Sequence, residues 1–126
     1  MLLGWVARQL GLSEMADAKI NDSVLVQRFK VLIEQHFTEH WTVSQYAIAL
    51  SVSPTHLSRL TRAATGVSAL RMIEARMMRE ARRNLAYTNL SISTIAYTLG
   101  FADPAYFSRV FTRDAGVSPK AFRSQI

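Results

Sequence analysis

The sequence of 126 residues contains no cysteine. That excludes a disulfide scaffold, a thiol nucleophile and a zinc site built on thiolates. Glycine and proline are scarce, at five and three copies, and no glycine-rich phosphate loop is present. The N-terminal apolar stretch Met1–Ala7 ends at Arg8. It is far shorter than the ~20 residues that span a bilayer. With no basic segment before it and no small-residue cleavage site after it, it does not read as a secretion signal. No alternating run is long enough for a strand. No Ser-His-Asp arrangement or carboxylate pair stands out, so neither an enzyme nor a bound cofactor is expected. His36 and His40 stand four apart beside Glu39. Zinc needs three or four ligands, and helix-end histidines favoured by the helix dipole are the simpler reading. A soluble, cytoplasmic protein follows as the expectation.

The hydrophobic share is 49%, ordinary for a globular domain, and the length fits one compact domain. Acidic residues are the minority, nine against fifteen basic, for a net charge of +6. The imbalance is local. Residues 1–53 carry a net −1 and residues 54–126 a net +7. Twelve of the fifteen basic residues are arginine, whose planar fork grips phosphate or guanine with two hydrogen bonds. A polyanion is the indicated partner, nucleic acid before an acidic membrane.

Residues 1–12 suggest a short helix with Leu2, Leu3, Val6 and Leu10 on one side, and residues 13–22 read as a polar linker. From Ser23 to about His40 an amphipathic helix turns Leu25, Phe29, Leu32, Ile33 and Phe37 to one face. Thr42 and Gln45 have capping-box spacing, which starts a helix at Val43. Ser53-Pro54, Asp103-Pro104 and Ser118-Pro119 each place a cap before a proline at the first helical position. Ser68 and Ser91 cap two more helices, and Gly66, Gly100 and Gly116 are stops. The helix from Ser68 to about Tyr87 is expected to bury Leu70, Ile73, Met77, Ala81 and Leu85. Met72, Met77 and Met78 read as core filling. Seven helices result, and the class is all-α.

The sequence repeats itself. Pro54, Ser58-Arg59 and Gly66-Val67-Ser68 recur fifty residues on, at Pro104, Ser108-Arg109 and Gly116-Val117-Ser118. Ala47 and Leu50 recur forty-nine on, at Ala96 and Leu99. The second copy therefore holds one extra residue in its turn, near Asp103. Each unit is a short helix, a tight turn and a second helix with an Arg-bearing face, which is the helix-turn-helix layout. Ala47, Leu50, Val52, Leu57 and Leu60 point inward in the first unit. Ala96, Leu99, Phe101, Phe107, Val110 and Phe111 do so in the second. Helical spacing then gathers Thr55, Ser58, Arg59 and Arg62 on one outer face. The matching face holds Ala105, Ser108, Arg109 and Thr112, with Arg113 beside it. Small residues at the helix start let it enter a major groove, where Arg and Ser reach base edges or phosphates. His56, matching Tyr106, is expected half-buried. A helical hairpin stacking on protein is the bland alternative, but two units are fewer than a solenoid needs.

Residues 23–126 resemble the DNA-binding domain of the AraC/XylS family of bacterial transcription regulators. The resemblance rests on Ile92–Phe101 (ISTIAYTLGF), Tyr106–Phe111 (YFSRVF) and Gly116–Arg123 (GVSPKAFR). The first unit, Ala47 through Gly66, matches more loosely. The resemblance implies a seven-helix domain with helix-turn-helix units at about 43–66 and 92–116, joined by one long helix. It implies recognition helices at Pro54–Thr65 and Pro104–Ala115. It further implies a sequence-specific regulator of the activator kind, with double-stranded DNA and RNA polymerase as partners and no membrane. Thr61 stands where the family favours a bulky aromatic, so a looser first unit is expected. Asn84 replaces a usual leucine, and Ala105 offers a base no hydrogen bond. Residues 1–22 read either as the remnant of a missing sensing and dimerisation domain or, in a single-domain regulator, as an N-terminal helix packed on its own domain. Leu2, Leu3, Trp5, Val6, Leu10 and Leu12 suit a dimer or interdomain helix, and a small-molecule effector would act only through that missing domain. The alternative from another class is a basic helical module that binds an acidic protein or an anionic membrane surface.

Overall fold

The computed structural model describes the backbone from Leu2 and side chains from Lys19 to Ile126. Among the described residues there are seven α-helices and no strand: α1 (Leu2–His36), α2 (Val43–Ala49), α3 (Pro54–Thr65), α4 (Ala69–Tyr87), α5 (Ile92–Thr98), α6 (Pro104–Ala115) and α7 (Pro119–Ser124). The expected linker at 13–22 is not one, because α1 runs unbroken through it. Those residues contain neither proline nor glycine and include Glu14, Met15, Ala16, Ala18 and Lys19, all good helix formers. Polarity without a breaker is a solvated helix, not a loop. The apolar side of residues 1–12, including Trp5 and Leu12, lies outside the described side chains. At its other end α1 stops at His36, short of the expected His40. A 3-10 turn, Phe37–Glu39, follows it, and His40 is left-handed at φ 55°.

The later boundaries follow from side-chain caps. Thr42 and Gln45 close a reciprocal box, with Thr42 N donating to Gln45 Oε1 at 2.7 Å and Gln45 N to Thr42 Oγ1 at 3.2 Å. Ser53, Ser68, Ser91, Asp103 and Ser118 each accept a backbone N–H of the helix they precede. Each such bond satisfies a donor that the first helical turn leaves open, worth about 1 kcal/mol. Gly66 and Gly116 end α3 and α6 at φ 83° and 81°, where a Cβ would be strained.

One core runs through the molecule. Phe29 and Ile33 of α1, Tyr46, Ala47 and Leu57 of the first unit, Ile73, Met77, Met78 and Ala81 of α4, and Ala96, Phe107 and Phe111 of the second unit are all buried in it. Leu70, expected in that core, is 52% exposed. Its neighbour Ala69 is fully buried instead, so the inward stripe of α4 begins one residue earlier. Met72 is only partly buried. The Tyr46 hydroxyl is buried without a hydrogen-bond partner among the described residues. Burial, and secondarily the charge of Glu39, push its pKa up to about 12.

Ion pairs tie the outer elements to α4. Arg76 grips Glu34 of α1 with Nε at 2.7 Å and Nη2 at 2.8 Å. It also donates to Glu80 at 3.3 Å and lies 4.0 Å from the centre of the Phe37 ring. The hydrogen bond to Arg76 holds the Glu34 carboxyl below the usual range and raises the guanidinium in turn. At the far end of α4, Arg123 of α7 donates to the carbonyls of Leu85 (3.2 Å) and Thr88 (3.3 Å), answering acceptors that the helix leaves open.

Candidate nucleic-acid interface

The two repeated units superpose in chemistry as well as in order. In the first turn, Val52 N donates to Ala47 O and Ser51 N to Ile48 O, both at 3.0 Å. In the second, Phe101 N donates to Ala96 O and Gly100 N to Tyr97 O, again both at 3.0 Å. Ser51 and Gly100, forty-nine apart, both take left-handed backbones, at φ 59° and 87°. The second turn then spends one more residue, Ala102, before its cap at Asp103. The inward residues agree in kind. Ala47 and Ala96, and likewise Leu57 and Phe107, are fully buried. Val52 and Leu60 are only partly buried, unlike their counterparts Phe101 and Val110. Thr61, opposite Phe111 of the second unit, is fully buried and donates its hydroxyl to Ser58 O at 3.0 Å.

Both caps and inward anchors turn the remaining faces of α3 and α6 to solvent. Thr55, Arg59 and Arg62 are exposed on α3 with Ser58 half-buried among them. Ala105, Arg109, Thr112 and Arg113 are exposed on α6, with Ser108 half-buried. Ser108, Arg109, Thr112 and Arg113 line one shallow surface depression. His56 is half-buried as expected, whereas Tyr106 is 46% exposed. The Arg109 guanidinium carbon sits 5.7 Å from the Tyr106 ring centre, a stacking contact that holds the arginine outward.

The arginines divide into two sets. Arg76, Arg79, Arg82 and Arg113 have acidic partners. Arg82 reaches Asp114 at 2.9 Å, Arg79 reaches Glu34 at 3.9 Å, and Arg113 pairs with Glu74. Arg59, Arg62 and Arg109 form no ion pair among the described residues. Residues 54–126 carry four acids. Glu74, Glu80 and Asp114 answer arginines, and Asp103 caps α6 through Ala105 N at 2.9 Å. Arg71 and Arg83 of α4 and Lys120 of α7 are likewise exposed without an acidic partner among the described residues, so the excess positive charge is shared between the outward faces of α3 and α6 and exposed positions on α4 and α7. Sequence reasoning grouped Arg113 with the outer face but missed its tie to Glu74. The partners are thirty-nine residues apart, and no local spacing announces such a pair.

His36 pairs with Glu39 and stacks on Trp41, with ring centres 3.8 Å apart. His40 meets Phe101 edge-on. Both histidines are therefore engaged with neighbours, and no group of three metal-ligating side chains occurs among the described residues. No described helix is long and apolar enough to cross a membrane.

Residues 46–125 match the family model described as a helix-turn-helix domain. The arabinose operon regulatory protein of Salmonella typhimurium is 30% identical over 131 residues, covering 89% of this chain and 47% of that protein. Its counterpart in Escherichia coli is 36% identical over 95 residues, covering 71% and 32%. The chain thus spans half or less of the length of these relatives. Among solved structures, the C-terminal domain of AraT, a response regulator from Geobacillus stearothermophilus, is 33% identical with a TM-score of 0.77, over 81% of this chain and 85% of that one. The DNA-binding domain of AdpA, solved with a target DNA, is 25% identical with a TM-score of 0.69, over 82% and 90%. With its two matched units and all seven helices in place, the chain belongs to the AraC family of transcription regulators, as a DNA-binding domain of that family.

Proposed function

We propose that α3 and α6 are the recognition helices of a sequence-specific activator of transcription, each entering a major groove of one operator. The observation that carries this reading is the repetition of one outward face. Twice, a capped helix presents a serine and an arginine four and five residues after its first-turn proline, at Ser58-Arg59 and Ser108-Arg109. Thr55 and Arg62 complete the first contact set. Ala105, Thr112 and Arg113 complete the second. The proposed role is binding rather than catalysis, and its place is the cytoplasm. RNA polymerase is the partner of the activating step, with a small-molecule effector and pairing of two chains as its controls.

Titration of salt against affinity for operator and random duplex tests the reading. Some six to eight phosphate contacts give a log–log slope of roughly −5 to −7. A flat salt response, or equal affinity for operator and random duplex, overturns it.

A further inference from the structure

A cavity of about 180 Å³ lies where the two helix-turn-helix units meet. Trp41, Ile73, Met77, Phe101, Tyr106 and Glu74 supply walls from the segment before α2, from α4 and from the second unit. Thr55, Ser58, Arg59, Arg62, Ser108, Arg109 and Thr112 lie outside its lining, and the outward faces reach it only through the pair of Arg113 with Glu74 and the contact of Arg109 with Tyr106. Its volume is comparable to the ~150 Å³ apolar cavity that binds benzene in an engineered protein. Three of its walls are aromatic, and ring faces and edges select a flat ring over an aliphatic chain.

We infer that this cavity is a binding site for a small, neutral, monocyclic or fused aromatic molecule bearing one O–H or N–H donor. The lining is apolar except for Thr42, Glu74 and His40, whose ring lies edge-on to Phe101, and the carboxylate belongs to Glu74. That carboxylate is already paired with Arg113, and its side chain is 14% exposed. A ligand cation therefore gains little from a charge already answered, and a ligand anion meets a carboxylate of its own sign. A neutral donor loses least on leaving water, and a free lone pair of the carboxylate can accept its hydrogen bond. Leu70 stands at the rim, half in solvent.

Phenol and indole are the probes, with toluene and benzoate as comparisons, on the full chain without DNA. Binding on the order of 1 mM is what ligands of seven to nine heavy atoms reach with ordinary efficiency. At ten times that concentration the melting temperature should rise by roughly 3–6 °C with phenol or indole, less with toluene and not at all with benzoate. Nuclear Overhauser contacts should run from the probe ring to the Met77 methyl in methionine-labelled protein. Leu70→Trp, which plugs the rim from an exposed position, should abolish both signals. Equal shifts with benzoate and phenol, no contact to Met77, or an unchanged phenol shift in L70W would overturn the inference. If L70W does not fold, the Met77 contact alone decides.

Discussion

Ser51 and Gly100 occupy one place in two copies of a turn, yet only one of them is glycine. Ser51 bears the left-handed backbone with a Cβ, a strain of about 1 kcal/mol. Ser51→Gly should therefore be neutral or stabilise the domain by up to about 0.6 kcal/mol in denaturant titration, the removed strain less the ~0.4–1 kcal/mol of added chain entropy. Gly100 has no such latitude. A Cβ there would stand 2.6 Å from the Thr38 carbonyl and 2.9 Å from the His40 Cβ. Gly100→Ala should cost about 2–5 kcal/mol from backbone strain and overpacking together. A neutral result would mean that the 3-10 turn yields. Tyr46 offers an opposite case: its hydroxyl is buried and unanswered. Tyr46→Phe should raise stability by about 1–2 kcal/mol in the same titration.

The matched arginines should differ in their effects on binding. Arg59 has Thr55, Ser58 and Arg62 about it, a polar set suited to base edges. Arg59→Ala should weaken operator binding by about 1–3 kcal/mol and relax preference at one or two base pairs. Arg109 leans on Tyr106 beside apolar Ala105. Its loss should weaken all sequences more evenly. Binding measured across a library of singly substituted operators separates the two outcomes, and the reverse pattern refutes the assignment.

Among elements, helix boundaries from α2 onward were legible because each is written locally, in a cap, a first-turn proline or a terminal glycine. The start and end of α1 were not. Its stretch 13–22 has the composition of a linker, but no proline or glycine breaks the helix there. Its end depends on a 3-10 turn packed under the second unit, a contact that no window of sequence contains. Leu70 failed for a related reason. Periodicity fixes the spacing of a buried stripe but leaves its phase free by one residue, and Ala69, not Leu70, is the residue turned into the core. The outer faces of α3 and α6 were read correctly as exposed, since the inward anchors leave them no other direction. The pairing of Arg113 with Glu74 was illegible.

Glu34 and Arg76 make the α1–α4 clamp titratable. The carboxyl is held below its ordinary 4.5 in the folded chain. The clamp's contribution is therefore present above that value and lost as pH falls through the lower, folded one. Native protein should exceed Glu34→Gln in stability at neutral pH. The gap should close on acidification below about pH 4.5. A gap that persists undiminished to the acid limit would show that what Glu34 contributes does not depend on its charge, and no gap at neutral pH would show that Arg76 is held by its other partners.

For the whole molecule, if α4 sets the distance between the two proposed recognition helices, straight DNA does not fit them. The nineteen residues of α4 span about 28 Å, short of the ~34 Å between successive major grooves on one face. Two inserted helices thus require DNA that bends toward the protein, at a cost on the order of 1–6 kcal/mol that the second set of contacts offsets. Hydroxyl-radical footprints should show two protected grooves, and circularly permuted fragments should migrate as bent. One protected groove on straight DNA would rule out the two-helix arrangement.

The close approach of Gly100 to the backbone of Thr38 and His40 also bears on the independence of the two heads. The turn of the second unit rests on the end of the helix that carries the first, and one core continues beneath both. The duplicated units have therefore ceased to be modules. They are expected to share a single folding equilibrium, so that heat, acid or a core substitution dims both together; two separate unfolding transitions in one melt would show otherwise.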